Sequence, residues 1–229
     1  MVFDLFSKKT NVADCDWIAV AGLVSDSAYG SWKKFVDQVL RKYGLEGEED
    51  IFRSVLGKTE KRLGALWMFK ERERAEKTFK FLYNARSYRD ILKNGELREA
   101  KEVFDKEMQR WIDRREDAEV FENDLIIFTV KSQVDLSSPL STVLSFKFFI
   151  GKTVVVVADT GKETVKISGR NQVGVRVNDL FREAVEGILN AKTGGHAQAC
   201  STQIERGHLG LFKNNLKKAF RRQVLFSAK

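Results

Sequence analysis

Cysteine, histidine and proline are scarce in this chain. Of 229 residues, two are Cys, two are His and one is Pro. Cys15 and Cys200 lie far apart and match no metal-ligand spacing, so both are expected to be buried free thiols rather than half of a disulfide or redox site. His196 and His208 complete the histidine inventory, which excludes a His-based metal cluster. Long apolar runs are missing as well. The longest, Thr153 to Ala158, is strand-length and far short of the ~20 residues that span a bilayer. Met1 to Phe6 is apolar but short, and Lys8-Lys9 follow it rather than precede it, unlike a signal peptide. A cytoplasmic protein with no membrane partner is expected.

Acidic residues are absent from one long stretch. The chain carries a formal charge of +8, and from Arg206 to Lys229 there are seven basic residues and no Asp or Glu. Gly207 to Gln223 reads as an amphipathic helix with Leu209, Phe212, Leu216 and Phe220 inward. Its polar side carries Lys213, Lys217, Lys218, Arg221 and Arg222. Such a helix suits a polyanion, most simply nucleic acid. The plainer alternative is a solvated helix end whose cations complement the dipole.

The first half reads as helical. Ala13 to Val24, with Trp17, Ile18, Val20 and Leu23, is a buried helix, and Ser31 caps a second one that stops at Gly44. Ile51 to Leu56 reads as an apolar turn. Lys61 to Tyr83 is one helix or two, with Leu63, Leu66, Trp67, Phe79, Leu82 and Tyr83 as its apolar set and Glu71 to Glu76 as a charged belt. Glu96 to Glu116 repeats Leu97, Ala100, Phe104, Met108 and Trp111 at helical spacing.

Near residue 120 the pattern changes. Asp124 to Lys131, Lys152 to Asp159, Glu163 to Arg170 and Ala199 to Ile204 read as strands. Pro139 fits the first turn of a helix between the first two. Asn178 is placed to cap a helix carrying Leu180, Phe181, Ala184, Val185, Ile188 and Leu189. The fold class is therefore α/β: a mostly helical half, residues 1–120, then a mixed-sheet α/β domain, residues 121–229.

The stretch richest in chemistry is Thr193-Gly194-Gly195-His196, read with Ser168-Gly169-Arg170 upstream. A Gly-Gly pair lets backbone N–H groups approach an anion closely, and His196 adds a ring donor. Arg170 can supply a planar, charged fork for phosphate oxygens. Ser168, Arg170, Gly194, Gly195 and His196 form a candidate phosphate-holding loop.

Residues from about 124 to 229 resemble the DHH-associated domain of DHH-family phosphoesterases, which include RecJ-type exonucleases. The motifs that carry the resemblance are Ile167-Ser168-Gly169-Arg170, Thr193-Gly194-Gly195-His196 and Ala199-Cys200-Ser201. The resemblance implies that Arg170 and His196 hold nucleic-acid phosphate or a 3′ end. Thr193 and Ser201 stand where the family motif has glycine, and both are expected to narrow the cradle. Asp16 to Asp26 resembles the last motif of the DHH catalytic domain, which makes Asp26 the positional match of a manganese-holding aspartate. Tyr83-Asn84-Ala85 and the following helix resemble the connecting region of archaeal RecJ-like proteins.

The departures bear on function. The family's two-metal site needs an Asp-x-Asp pair and an Asp-His-His triplet. Asp14-Cys15-Asp16 sits in the wrong place and no Asp-His-His occurs, so Asp26 is a vestigial metal candidate and no cofactor is expected. The leading expectation is a non-catalytic RecJ-like protein that binds single-stranded DNA. By resemblance its partners are the GINS complex and, through it, the MCM helicase of archaeal replication. One half of a split manganese-dependent phosphoesterase is an alternative, as is a purely structural interaction module. A tRNA-binding role, by analogy with alanyl-tRNA editing proteins, is more distant.

Overall fold

The structure is a computed structural model that describes residues 2–69 and 72–227. Met1, Glu71 of the charged belt and Lys229 of the basic set lie outside them. The chain forms two compact units, Met1–Phe104 and Asp105–Lys229. No described helix is long and apolar enough to cross a membrane.

The first unit is helical. Its elements are α1 (Val2–Ser7), α2 (Asp16–Ser25), α3 (Lys33–Tyr43), α4 (Val55–Trp67), α5 (Arg72–Asn84), α6 (Tyr88–Lys93) and the start of α7 (Gly95–Asp113). Trp17, Val20, Leu23 and Val24 of α2 are buried, as their spacing predicts, and α2 packs on α4. Each such fully buried apolar side chain is worth roughly 1.5–3 kcal/mol. Gly44 ends α3 at φ +63°, the left-handed conformation a helix terminus favours.

Several local expectations fail. Ser31 lies inside a 3-10 turn, Tyr29–Trp32, and Trp32 precedes α3 without a side-chain cap. Ser54 is a true cap that sequence reading missed: its Oγ accepts the Gly57 N–H at 3.1 Å, so α4 starts inside the supposed apolar turn. Trp67, Phe79 and Tyr83 are exposed rather than core. The half-buried side of α5 carries Ala75, Thr78 and Leu82, which turns Phe79 and Tyr83 outward. Cys15 is exposed at the lip of α2, off its buried face, whereas Cys200 is buried, and both thiols are free.

The second unit is a six-stranded mixed sheet with helices on both faces. Its strands are β1 (Glu119–Phe121), β2 (Leu125–Lys131), β3 (Thr153–Asp159), β4 (Thr164–Arg170), β5 (Lys192–His196) and β6 (Ala199–Glu205). They lie in the order β1-β2-β3-β4-β6-β5, with β2 and β3 parallel and every other pair antiparallel. The parallel pair is joined through α8 (Ser137–Lys147), whose first turn holds Pro139. α9 (Val177–Ala184) and α10 (Leu209–Ser227) complete the unit.

One sheet face, with Val155, Val157, Val165 and Ile167, packs on Phe181 of α9 and on Phe212, Leu216 and Phe220 of α10. The Phe181 and Phe212 rings meet edge to face at 5.6 Å. α8 packs on β3 and β4. β3 is buried along nearly its whole length, as expected of a central strand covered on both sides. Asn178 caps nothing: it sits within α9, which ends at Ala184, and Leu189 beyond Gly187 (φ +77°) is exposed.

Candidate functional site

The glycine-rich stretch is a strand, not a loop. Lys192–His196 forms β5, the edge of the sheet, and joins β6 through a tight turn at Ala197-Gln198. That turn is fastened to its surroundings: the Asn171 N–H donates to the Gln198 carbonyl at 3.1 Å, and the Val177 N–H to the Ala197 carbonyl at 2.7 Å. At Gly195, φ is +152° and an added Cβ would fall 2.3 Å from the Ala199 carbonyl oxygen. Glycine is required there because β5 approaches β6 so closely.

Register decides which side chains meet. Directly paired residues share a face. Ser168, Ser201 and Gly194 form one row across β4, β6 and β5; Arg170, Ala199 and His196 form the next. These rows border a pocket of about 160 Å³ lined by Ser168, Arg170, Gly194, Gly195 and Ser201, with Ser138 from the first turn of α8. His196 is exposed, across Ala199 from Arg170. Four of the five expected loop residues therefore converge on one pocket, and His196 stands on the same face at its rim. Thr193 does not narrow it: paired with Thr202, it belongs to the opposite face, where their hydroxyls lie 2.8 Å apart. Ser201 does line it.

The electrostatics of the pocket are one-sided. Arg170 is half-buried, has no hydrogen bond or ion pair among the described residues, and is the only charge in the lining. Burial draws its guanidinium below the ordinary value, although an arginine stays charged. Ser168 is 3% exposed, and its Oγ is buried without a hydrogen-bond partner. A buried unsatisfied hydroxyl costs roughly 1–3 kcal/mol, which an acceptor oxygen arriving from a ligand would relieve. Gly169, between them, serves packing: an added Cβ would lie 2.7 Å from both Phe181 Cε1 and Val177 Cγ1 of α9. Cys200 donates its thiol to the Gly194 carbonyl at 3.2 Å, and burial raises its pKa.

The basic helix is not part of this pocket. α10 packs on the sheet face that carries Val165 and Ile167, the face opposite Ser168 and Arg170. Most of its cations are also neutralised. Glu119 of β1 takes Lys217 and, at 3.6 Å, Lys213; Glu122 takes Arg221, and Glu183 of α9 takes Arg222. Lys218 alone of the five lacks a partner among the described residues.

The described carboxylates of the first unit do not assemble into a metal site. Asp26 is exposed at the end of α2. Asp16 is buried and engaged, accepting from Tyr43 Oη and Lys42 Nζ at 2.7 Å each. Desolvation first, then the bond to Asp16, pushes the Tyr43 phenol up to about 12. Among the described residues no group of three or more His, Cys, Asp or Glu could hold a metal ion. A lone exposed Asp26 does not fit the two-metal chemistry that the family resemblance implies.

The pocket, strands β2 to β6 and the β5–β6 hairpin lie within one recognisable segment. Residues 125–222 match the DHHA1 domain. The DHHA1-like segment thus runs from β2 through most of α10. Over 93% of its length the chain is also similar in fold to RecJ. A structure of RecJ in complex with Mn2+ from Thermus thermophilus gives a TM-score of 0.65 at 16% identity, covering 93% of this chain and 33% of that one. The Mg2+ complex from the same organism gives 0.62 at 16% identity, covering 93% and 35%. An exonuclease RecJ bound to manganese gives 0.61 at 17% identity, covering 93% and 56%. The chain therefore spans about a third of the Thermus RecJ chains. No curated protein matches it by sequence.

Proposed function

We propose that this chain is a non-catalytic RecJ-like protein whose DHHA1-like domain holds a backbone phosphate of single-stranded DNA. The observation that carries the reading is the pairing of an uncompensated, half-buried Arg170 with an unpartnered, buried Ser168 hydroxyl in one small pocket. Guanidinium and hydroxyl supply donors for phosphate oxygens, and Gly194, in the row of Ser168 and Ser201, adds no side chain to the space they leave. His196 adds a donor at the rim. A purely structural role leaves both the charge and the hydroxyl unsatisfied.

Binding of an oligothymidylate at low salt tests this. Arg170→Ala with Ser168→Ala should weaken it by about tenfold or more, the loss expected for charge-assisted hydrogen bonds. Unchanged binding refutes the pocket. Manganese-dependent cleavage of the oligonucleotide by the purified chain refutes the non-catalytic reading. The split-enzyme alternative puts the remaining metal ligands on a separate polypeptide; manganese-dependent cleavage by the reconstituted pair, lost in Asp26→Ala, would favour it. The partners implied by resemblance are GINS and, through it, the MCM ring of an archaeal helicase assembly. Recovery of both with the protein from its own cells is expected, and recovery of neither refutes the replisome assignment.

A further inference from the structure

The first unit carries a feature that neither its core nor the pocket uses. Phe79 and Tyr83, one turn apart on α5, stand 66% and 78% exposed. Their rings are stacked, with centroids 6.1 Å apart and an interplanar angle of 26°. Two large aromatics paired in solvent gain little for the fold, because their outer faces stay wet. Lys80, between them in sequence, is exposed and unpaired among the described residues. Glu73 and Glu76 precede the two rings on α5, and Glu76 already has an interaction of its own; beyond it the chain is mostly basic. From Lys77 to Lys93 there are five basic residues, Lys77, Lys80, Arg86, Arg89 and Lys93, and one acidic residue, Asp90. Lys77 is paired with Glu96 at 2.9 Å, and the Asp90 carboxylate is occupied by the Arg86 and Ser87 N–H groups at 2.9 and 3.0 Å.

We propose that the outer face of α5 is a second nucleic-acid contact, in which Phe79 and Tyr83 stack on bases of a single strand and Lys80 meets its backbone. Flat rings with the unpaired Lys80 between them in sequence match a chain of bases on phosphates, because every base offers a π-face and every linkage a negative charge. A protein helix docking there would need acidic residues to offset Lys80 and the nearby Arg86. The choice of nucleic acid rests also on the phosphate-holding reading of the second unit. The stacking site differs from that pocket in kind, since it reads bases rather than phosphate.

The full chain is tested against two probes at low salt: an oligothymidylate and an abasic phosphodiester of the same length. The unsubstituted chain should prefer the oligothymidylate. Phe79→Ala with Tyr83→Ala should weaken oligothymidylate binding about tenfold, leaving abasic binding and the circular dichroism spectrum unchanged. In Phe79→Trp, the added indole emission should be quenched by oligothymidylate and not by the abasic chain. Equal affinity of the unsubstituted chain for both probes overturns the proposal, and so does a double-alanine variant that keeps its preference. A variant that dissociates a dimer while binding both probes normally also overturns it, making the face a contact between copies. Arg170→Ala separates the two readings. If it changes neither affinity while the α5 variant loses its base preference, the pocket reading falls and the stacking site stands.

Discussion

Replacing Gly195 by alanine should detach the edge strand without unfolding the protein. The new Cβ would lie 2.3 Å from the Ala199 carbonyl oxygen and 2.5 Å from the Cys200 Cα. Both neighbours are backbone, so no side chain can turn aside, and relief requires β5 to move away from β6. A φ of +152° adds strain for any residue with a Cβ. Strain of this kind costs about 1–3 kcal/mol, and forced overpacking about the same again. Their sum, roughly 2–6 kcal/mol, is comparable to the local opening energy of an edge element and below that of the sheet centre. Amide hydrogen exchange is the direct assay. In Gly195→Ala the β5 amides and their β6 partners should lose protection while β3 and β4 keep theirs. Gly194→Ala is the matched control, because a Cβ there meets nothing within 4 Å. It should leave exchange unchanged yet weaken oligonucleotide binding, since Gly194 shares its row with Ser168 and Ser201. Native protection of β5 in Gly195→Ala would refute the close-approach argument.

Other expectations concern different parts of the molecule. Gly169→Ala pushes a methyl into Phe181 and Val177, and urea unfolding should show a loss of about 1–3 kcal/mol; unchanged stability would mean that α9 yields freely. Tyr43 has a folded pKa raised from 10.0 to about 12, so its contribution is complete below pH 10 and is lost as pH rises toward 12. Ultraviolet titration should show a tyrosine midpoint near 12 that Asp16→Asn lowers; a titration curve unchanged by Asp16→Asn would refute this. Alanine at Lys217, Lys218, Arg221 and Arg222 together should change the salt slope of DNA binding by no more than about one, because Lys218 alone is unpaired. A drop of three or four would return α10 to the binding surface.

The central architecture was legible because burial writes itself into sequence. β2, β3 and β4 are apolar or alternating, and α7 and α10 repeat at helical spacing. β5 was not legible. All five of its residues are exposed, so it has no hydrophobic period, and its strand character comes from backbone pairing with β6. The motif residues were visible, but not their arrangement: only register shows that Thr193 faces away while Gly194 faces Ser201. The charge run of α10 was equally plain, whereas its neutralisation by Glu119 and Glu122 depends on partners far away in the chain. Phe79 and Tyr83 fit a helical apolar pattern, and only the position of Ala75, Thr78 and Leu82 shows that this side faces solvent.

Placing the glycine strand last in the sheet has a mechanical corollary. Past β5 the sheet continues no further, so the groove is a shelf with an open lip rather than a closed cup. A polymer can lay one linkage on the shelf and let its flanking units run out over that lip. On the phosphate-holding proposal, such a seat would accept an internal linkage of a strand as readily as a terminal one.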